Sequence, residues 1–141
     1  MKKTILIALF MFSASLICSA QEIEDSSRRT LGYIWNTGTV EDSSRRTLGY
    51  FDKDGTVDNS SRRTLGYINK DGSVDDSSRR TLGYVSASGE VEDSSRRTLG
   101  YINSNGEVED SSRRTLGYAK GIKKEHAAAF FFFFFKTNAS R

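Results

Sequence analysis

The chain has 141 residues with 21 basic and 18 acidic side chains, one histidine, one cysteine and no proline, enough for one small domain. Two of the basic residues, Lys2 and Lys3, lie in a leader; without them 19 face 18, and so even a balance excludes a nucleic-acid surface built on net charge. Cys18 leaves with the same leader, which excludes disulfides and thiol chemistry from the remainder.

That leader is residues 1–20. Lys2 and Lys3 form a basic start, Thr4 to Ile17 is an apolar run, and Cys18-Ser19-Ala20 supplies small residues before a break, the pattern of a secretory signal peptide with Gln21 as the first mature residue. The run is shorter than the roughly 20 residues a membrane-spanning helix needs. A lipoprotein acylated at Cys18 is the rival; Ile17 and Ser15 stand where such a site wants a small residue and a leucine. The predicted location is secreted or periplasmic.

Residues 21–121 form a repeat domain. The octapeptide SSRRTLGY recurs six times unchanged, ending at Tyr33, Tyr50, Tyr67, Tyr84, Tyr101 and Tyr118, always 17 residues apart. A period that short holds one β-hairpin. In the unit Arg45 to Ser61, Thr47-Leu48-Gly49-Tyr50-Phe51 is rich in strand formers, Asp52-Lys53-Asp54-Gly55 reads as a turn, and Thr56-Val57-Asp58 reads as the return strand. Only the glycine of that turn is fixed (Gly38, Gly55, Gly72, Gly89, Gly106). The pattern suits a type I turn followed by a left-handed residue, since glycine enters positive φ without a Cβ clash. A two-residue Asp-Gly or Asn-Gly hairpin fits three of the five loops.

The turn between hairpins begins with Asp25, Asp42, Asn59, Asp76, Asp93 or Asp110. Such residues accept a hydrogen bond from the backbone two residues on. Asn59 retains the acceptor and lacks the charge, so the column reads as structural. Leu48 and Tyr50 alternate with Gly49 and Phe51, which makes each hairpin apolar on both faces, and only neighbouring copies can cover them. The glycine between Leu and Tyr marks a close approach of backbone or ring. Six of them predict hairpins converging on an axis like petals, or else a bent linear solenoid.

The recurrent RTLGY-xxxxG-xVEDSS unit, the signal peptide and the phenylalanine-rich tail resemble the secreted bacterial four-fold β-flower proteins over about Ile23 to Phe135. The resemblance implies a small flower of β-hairpins and supplies no activity. The predicted fold is therefore all-β, with tandem hairpins in a pseudo-symmetric flower and an apolar C-terminal segment packed against it.

Residues 122–141 are that segment. Ala127 to Ala129 lead into six phenylalanines, Phe130–Phe135, too few for a membrane helix and without the alternation of a barrel strand. Exposed, the run would promote aggregation. It is predicted to close the fold under or through the centre of the petals, with membrane insertion or self-association as the alternatives.

Six arginine pairs are the candidate binding residues: Arg28-Arg29, Arg45-Arg46, Arg62-Arg63, Arg79-Arg80, Arg96-Arg97 and Arg113-Arg114. A ring of guanidinium groups suits sulfated or phosphorylated glycans or other anionic envelope polymers. The plainer reading pairs them with acids such as Glu41-Asp42 or Asp75-Asp76. The six tyrosines read as core with the hydroxyl at the rim. Trp35 occurs once, beside a turn, as an exposed aromatic contact or a variant hydrophobic position.

No metal site, cofactor or catalytic residue is assigned. Asp52 to Asp58 has a calcium-like spacing, but no other copy preserves it and a hairpin turn explains the same letters. His126 stands in a basic linker without a cysteine or a G-x-S-x-G motif. Identical chemistry repeated six times describes a scaffold or a multivalent surface. The expected function is a non-catalytic structural or interaction module at the cell envelope, with a multivalent glycan or anion binder as the alternative and a hydrolase as a remote one.

Overall fold

The computed structural model describes residues 19–135. Most of the expected signal peptide, with Cys18, lies outside the described residues. Twelve strands follow one another: β1 (Ala20–Asp25), β2 (Thr30–Trp35), β3 (Thr39–Asp42), β4 (Thr47–Phe51), β5 (Thr56–Asn59), β6 (Thr64–Ile68), β7 (Ser73–Asp76), β8 (Thr81–Val85), β9 (Glu90–Asp93), β10 (Thr98–Ile102), β11 (Glu107–Asp110) and β12 (Thr115–Tyr118). A short helix α1 (Lys124–Ala128) leads into a π-helical turn at Ala129–Phe133. Neither is long and apolar enough to cross a membrane.

Each strand pairs antiparallel with its sequence neighbours, and β12 pairs with β1, so the twelve close into a barrel within one chain. The closing pair uses the register of every internal hairpin. Glu24 faces Tyr118 and Asp25 faces Gly117, as Glu41 faces Tyr33 and Asp42 faces Gly32. The sixth hairpin is thus assembled from the two ends of the repeat domain.

Both kinds of turn have one geometry. In the glycine loops the Gly55 N–H donates to Asp52 O at 3.0 Å and the Asp52 N–H to Thr56 O at 2.9 Å. Gly55 sits at φ +93°, the left-handed position the sequence predicts. In the other turns the Arg62 N–H donates to Asn59 O at 3.0 Å and the Asn59 N–H to Arg63 O at 2.8 Å. There the left-handed residue is an arginine, at φ 62° to 66° in all six copies. The strands after these turns carry a bulge. Val40 pairs with Gly49 and Glu41 with Thr47, so Leu48 is skipped, and its equivalents are skipped in the other copies. The extra residue bends the strand and adds twist, and the skipped leucines pack against the core.

The interior is layered. Ile23, Val40, Val57, Val74, Val91 and Val108 are fully buried, one from each unit. The paired column Ile34, Phe51, Ile68, Val85, Ile102 and Ala119 forms a second level, buried except for half-buried Ile68. The third level is the glycine of TLGY, buried in every copy, and it meets the tail. A Cβ built on Gly49 would lie 2.7 Å from the Phe135 ring, on Gly66 2.7 Å from Phe134, and on Gly83 2.7 Å from Phe133. The same order continues through Gly100 and Phe132 at 2.7 Å to Gly117 and Phe131 at 3.0 Å.

The tail therefore runs through the centre of the flower, and five successive rings meet five successive hairpins. The sequence expectation of tyrosines in the core is corrected. Strand alternation points Tyr outward when the flanking glycine and Phe or Ile point inward, and all six tyrosines are half-buried on the outside.

Two substitutions test the layers by urea denaturation. Ile23→Ala should lower stability by about 2–5 kcal/mol, as for a fully buried aliphatic side chain. Gly83→Ala should cost about 1–3 kcal/mol, because its methyl meets both the Phe133 ring and the Glu92 carbonyl. An unchanged midpoint for Gly83→Ala would refute the close approach.

Candidate functional site

Six equivalent stations surround the barrel at the arginine turns. In each, the first arginine of the pair lies flat on the tyrosine of the preceding unit: Arg45 on Tyr33, Arg62 on Tyr50, Arg79 on Tyr67, Arg96 on Tyr84, Arg113 on Tyr101 and, across the closing pair, Arg28 on Tyr118. The guanidinium carbon is 3.4–3.5 Å from the ring centroid. The same arginine reaches an acid four residues back at 3.2–3.7 Å, Glu24, Glu41, Asp58, Asp75, Glu92 or Glu109. Cross-strand pairing places this acid beside the tyrosine, and the left-handed turn folds the arginine back over both.

The second arginine is anchored differently. In five copies its Nε donates to the Asp that opens the turn, at 2.9–3.0 Å. The other oxygen of that Asp accepts two backbone N–H groups, as from Ser44 at 2.8 Å and Arg46 at 2.9 Å for Asp42. These donors hold Asp25, Asp42, Asp76, Asp93 and Asp110 below the usual carboxylate range, the backbone N–H four residues on being the largest cause. Asn59 makes the same two backbone bonds through its amide oxygen, so the acceptor is what the turn requires. Among the described residues the Arg63 side chain forms no ion pair.

The charged rim is asymmetric in depth. The second arginines are 81–82% exposed, whereas the Asp partners are only 19–22% exposed. Guanidinium groups face outward, and the balancing carboxylates are tucked beneath them. All twelve candidate arginines lie on this rim.

Trp35 is half-buried at the end of β2. Its indole N–H donates to Glu41 Oε1 at 2.5 Å, as the Asn69 amide donates to Asp75 at 2.9 Å and the Asn103 amide to Glu109 at 2.5 Å. The column Trp35, Asp52, Asn69, Ser86, Asn103 is the first position of the loop, where the recurring donors of Asn69 and Asn103 signal the role.

At the other end, where α1 enters, a cavity of about 670 Å³ opens beside Trp35, Phe51, Lys123 and His126. His126 stacks on Phe51, with ring centroids 4.3 Å apart and planes 7° from parallel. Burial and then the nearby Lys123 charge push its pKa down to about 4, against a smaller opposite effect of Glu125. It is a packed, neutral ring. Among the described residues no group of three or more His, Cys, Asp or Glu is placed to hold a metal. The calcium-like letters serve other ends: Asp52 pairs with Arg62 at 3.1 Å, and Asp54 accepts the Thr56 N–H at 3.0 Å.

A family model described as 5-fold beta-flower protein matches residues 20–135. The β-flower resemblance read from the sequence holds, with a different symmetry number: the model's description says five where the resemblance says four, and this barrel contains six hairpins. No curated protein and no solved structure matches the chain.

His126 makes a pH prediction. Its folded pKa of about 4 lies below the ordinary 6.5, so its contribution is fully present above pH 6.5 and declines as pH falls toward 4, by an amount on the order of 3 kcal/mol. The lowered Asp groups act in a separate window, losing their contribution only as pH falls below their unfolded value of 3.8. His126→Phe, which preserves a ring on Phe51, should abolish the decline between pH 6.5 and 4 in urea-melt series and leave the lower window intact. A decline of equal size in the variant would contradict the assignment.

Proposed function

The chain belongs to the 5-fold β-flower protein family, and from that premise we propose that it is an exported, non-catalytic structural or interaction module of the cell envelope. Repetition supports this reading. An active site needs unlike groups converging on one reacting atom, whereas six near-identical Arg–Tyr–acid stations diverge around a closed wall. That arrangement suits simultaneous contact with a repeating partner, where weak contacts reinforce one another. The N-terminal leader supports export. Intact-mass analysis of the protein recovered outside the cytoplasm should give a chain beginning at Gln21; recovery of the unprocessed chain in the cytoplasm would contradict it, and a lipid adduct on Cys18 would replace it with the lipoprotein.

A second reading, multivalent binding of glycans or anionic envelope polymers, is favoured by one observation. All six turns hold an arginine at positive φ, where a non-glycine residue costs roughly 1–2 kcal/mol. The tyrosine stack at such an exposed place returns about 0.5–1 kcal/mol and the ion pair to the acid up to about 1 kcal/mol, so arginine there brings little net stability. A strained φ repeated in all six turns is a mark of function, and each such turn presents the exposed second arginine that follows the strained one. Retention on a heparin-type polyanionic resin, released by salt, should be lost when Arg29, Arg46, Arg63, Arg80, Arg97 and Arg114 are replaced by Gln. Equal retention of that variant would end this reading while leaving the structural one standing.

A further inference from the structure

The closing pair between β1 and β12 differs from the other five hairpins in two respects: no loop joins its strands, and its pairing is shorter. Its chemistry is otherwise theirs. Register, flanking residues and the stacked arginine are the same, with Arg28 on Tyr118 at 3.4 Å and on Glu24 at 3.3 Å. It has two paired positions, against three in each internal hairpin. Nothing in this contact distinguishes the β1 of one copy from the β1 of another, because every copy carries the same AQEIED strand. A strand edge of this kind pairs with any chain that presents the complementary edge, and exchange of identical elements is a low-cost route to oligomers.

What ties the hairpins of one chain together is the tail. Phe131 abuts Gly117 of β12, and each later ring abuts the next hairpin back, ending with Phe135 on Gly49 of β4. The order of five rings along the tail thus follows the order of five of the six hairpins around it. The widened turn is bonded by Phe134 N–H to Ala129 O at 2.8 Å.

We infer that the phenylalanine tail is an internal clamp that confines ring closure to one chain, and that without it the β1 and β12 edges pair with those of a second copy. The inference goes beyond the envelope reading and does not depend on it. The partner is a second copy because the edge complementary to β12 is this chain's own β1. The tail opposes association here, since its rings are engaged with the barrel's own glycines.

The test uses the full chain in a Cys18→Ser background, with mass from light scattering at two concentrations and β content from circular dichroism. Replacing Phe132, Phe133 and Phe134 by Ala should convert a monomer into species of roughly twice the mass or more, growing with concentration and retaining the β signal. Adding Glu24→Cys and Tyr118→Cys places a disulfide across the closing pair, whose Cα atoms are cross-strand partners and so lie within disulfide reach. Oxidised at a dilution where the reduced variant is monomeric, this variant should stay monomeric when concentrated; reduced, it should associate.

A β-rich monomer without the disulfide, or oligomers indifferent to it, would overturn the inference. Should the triple alanine variant lose its β signal, repeat number decides. A chain with one more 17-residue unit should associate, and adding one phenylalanine to its tail should restore the monomer. The same mass with and without the extra ring would overturn the inference.

Discussion

A wide barrel must be filled, and every other feature of this protein follows from how that is done. Eight strands enclose an interior that wall side chains can fill, and larger barrels enclose cavities or channels. Twelve strands leave a lumen that one valine or isoleucine per hairpin at each level does not close. The chain supplies the missing volume from its own end. Ala127, Ala128 and Ala129 are fully buried, small enough for the helix to pass the valine level, and the phenylalanines occupy the space beyond. The glycine of TLGY is the wall's half of that contact: any side chain there would take the space of a ring. The octapeptide and the hexaphenylalanine run, far apart in the sequence, are two halves of one packing solution.

The outside obeys a different rule. Apolar tyrosine faces must be covered where no protein layer lies over them, and the stacked first arginine covers each with an amphipathic side chain. Its charge is met by the acid beside the ring, and the second arginine by the turn aspartate. Individually such exposed contacts contribute little. Their uniformity matters more: the rim has one composition all the way round, broken at Asn59 and Arg63, where an amide replaces a carboxylate without disturbing the turn. A surface partner would meet an almost featureless ring of guanidinium groups, with acids recessed behind them.

How much of this could be read from the sequence depended on the range of the interaction. The strands, the left-handed loop glycine and the Asn59 lesson about the turn acceptor were legible because they are decided within a few residues. Closure of the ring was not, since β1 and β12 carry ordinary repeat sequence and nothing local says they meet. The arginine at positive φ was missed because intrinsic preference points to glycine or asparagine there; two backbone bonds to the Asp side chain and the tyrosine stack override it. The outward tyrosines followed from alternation once glycine was assigned to the interior, and the sequence reading had placed both faces of the hairpin in contact with neighbours. Equal numbers of TLGY glycines and tail phenylalanines are visible in the sequence; that five of them meet in order is decided by packing between distant segments.

That order raises a question of symmetry which the π-helical turn answers in part. Six hairpins divide the circle into steps of about 60°, whereas an α-helix rotates its side chains by about 100° per residue. An α-helical tail would therefore skip hairpins, and consecutive rings could not meet consecutive glycines. Bonding each N–H five residues back widens the turn and reduces the rotation per residue. The chain changes from α to π at Ala129, one residue before the phenylalanines begin. The match is still imperfect: Phe130, next in the series, rests on Phe131 and Phe135, while the three atoms nearest a Cβ on Gly32 are all backbone of Glu41 and Asp42. A barrel of five hairpins would need a larger step, and so a less distorted helix than this one.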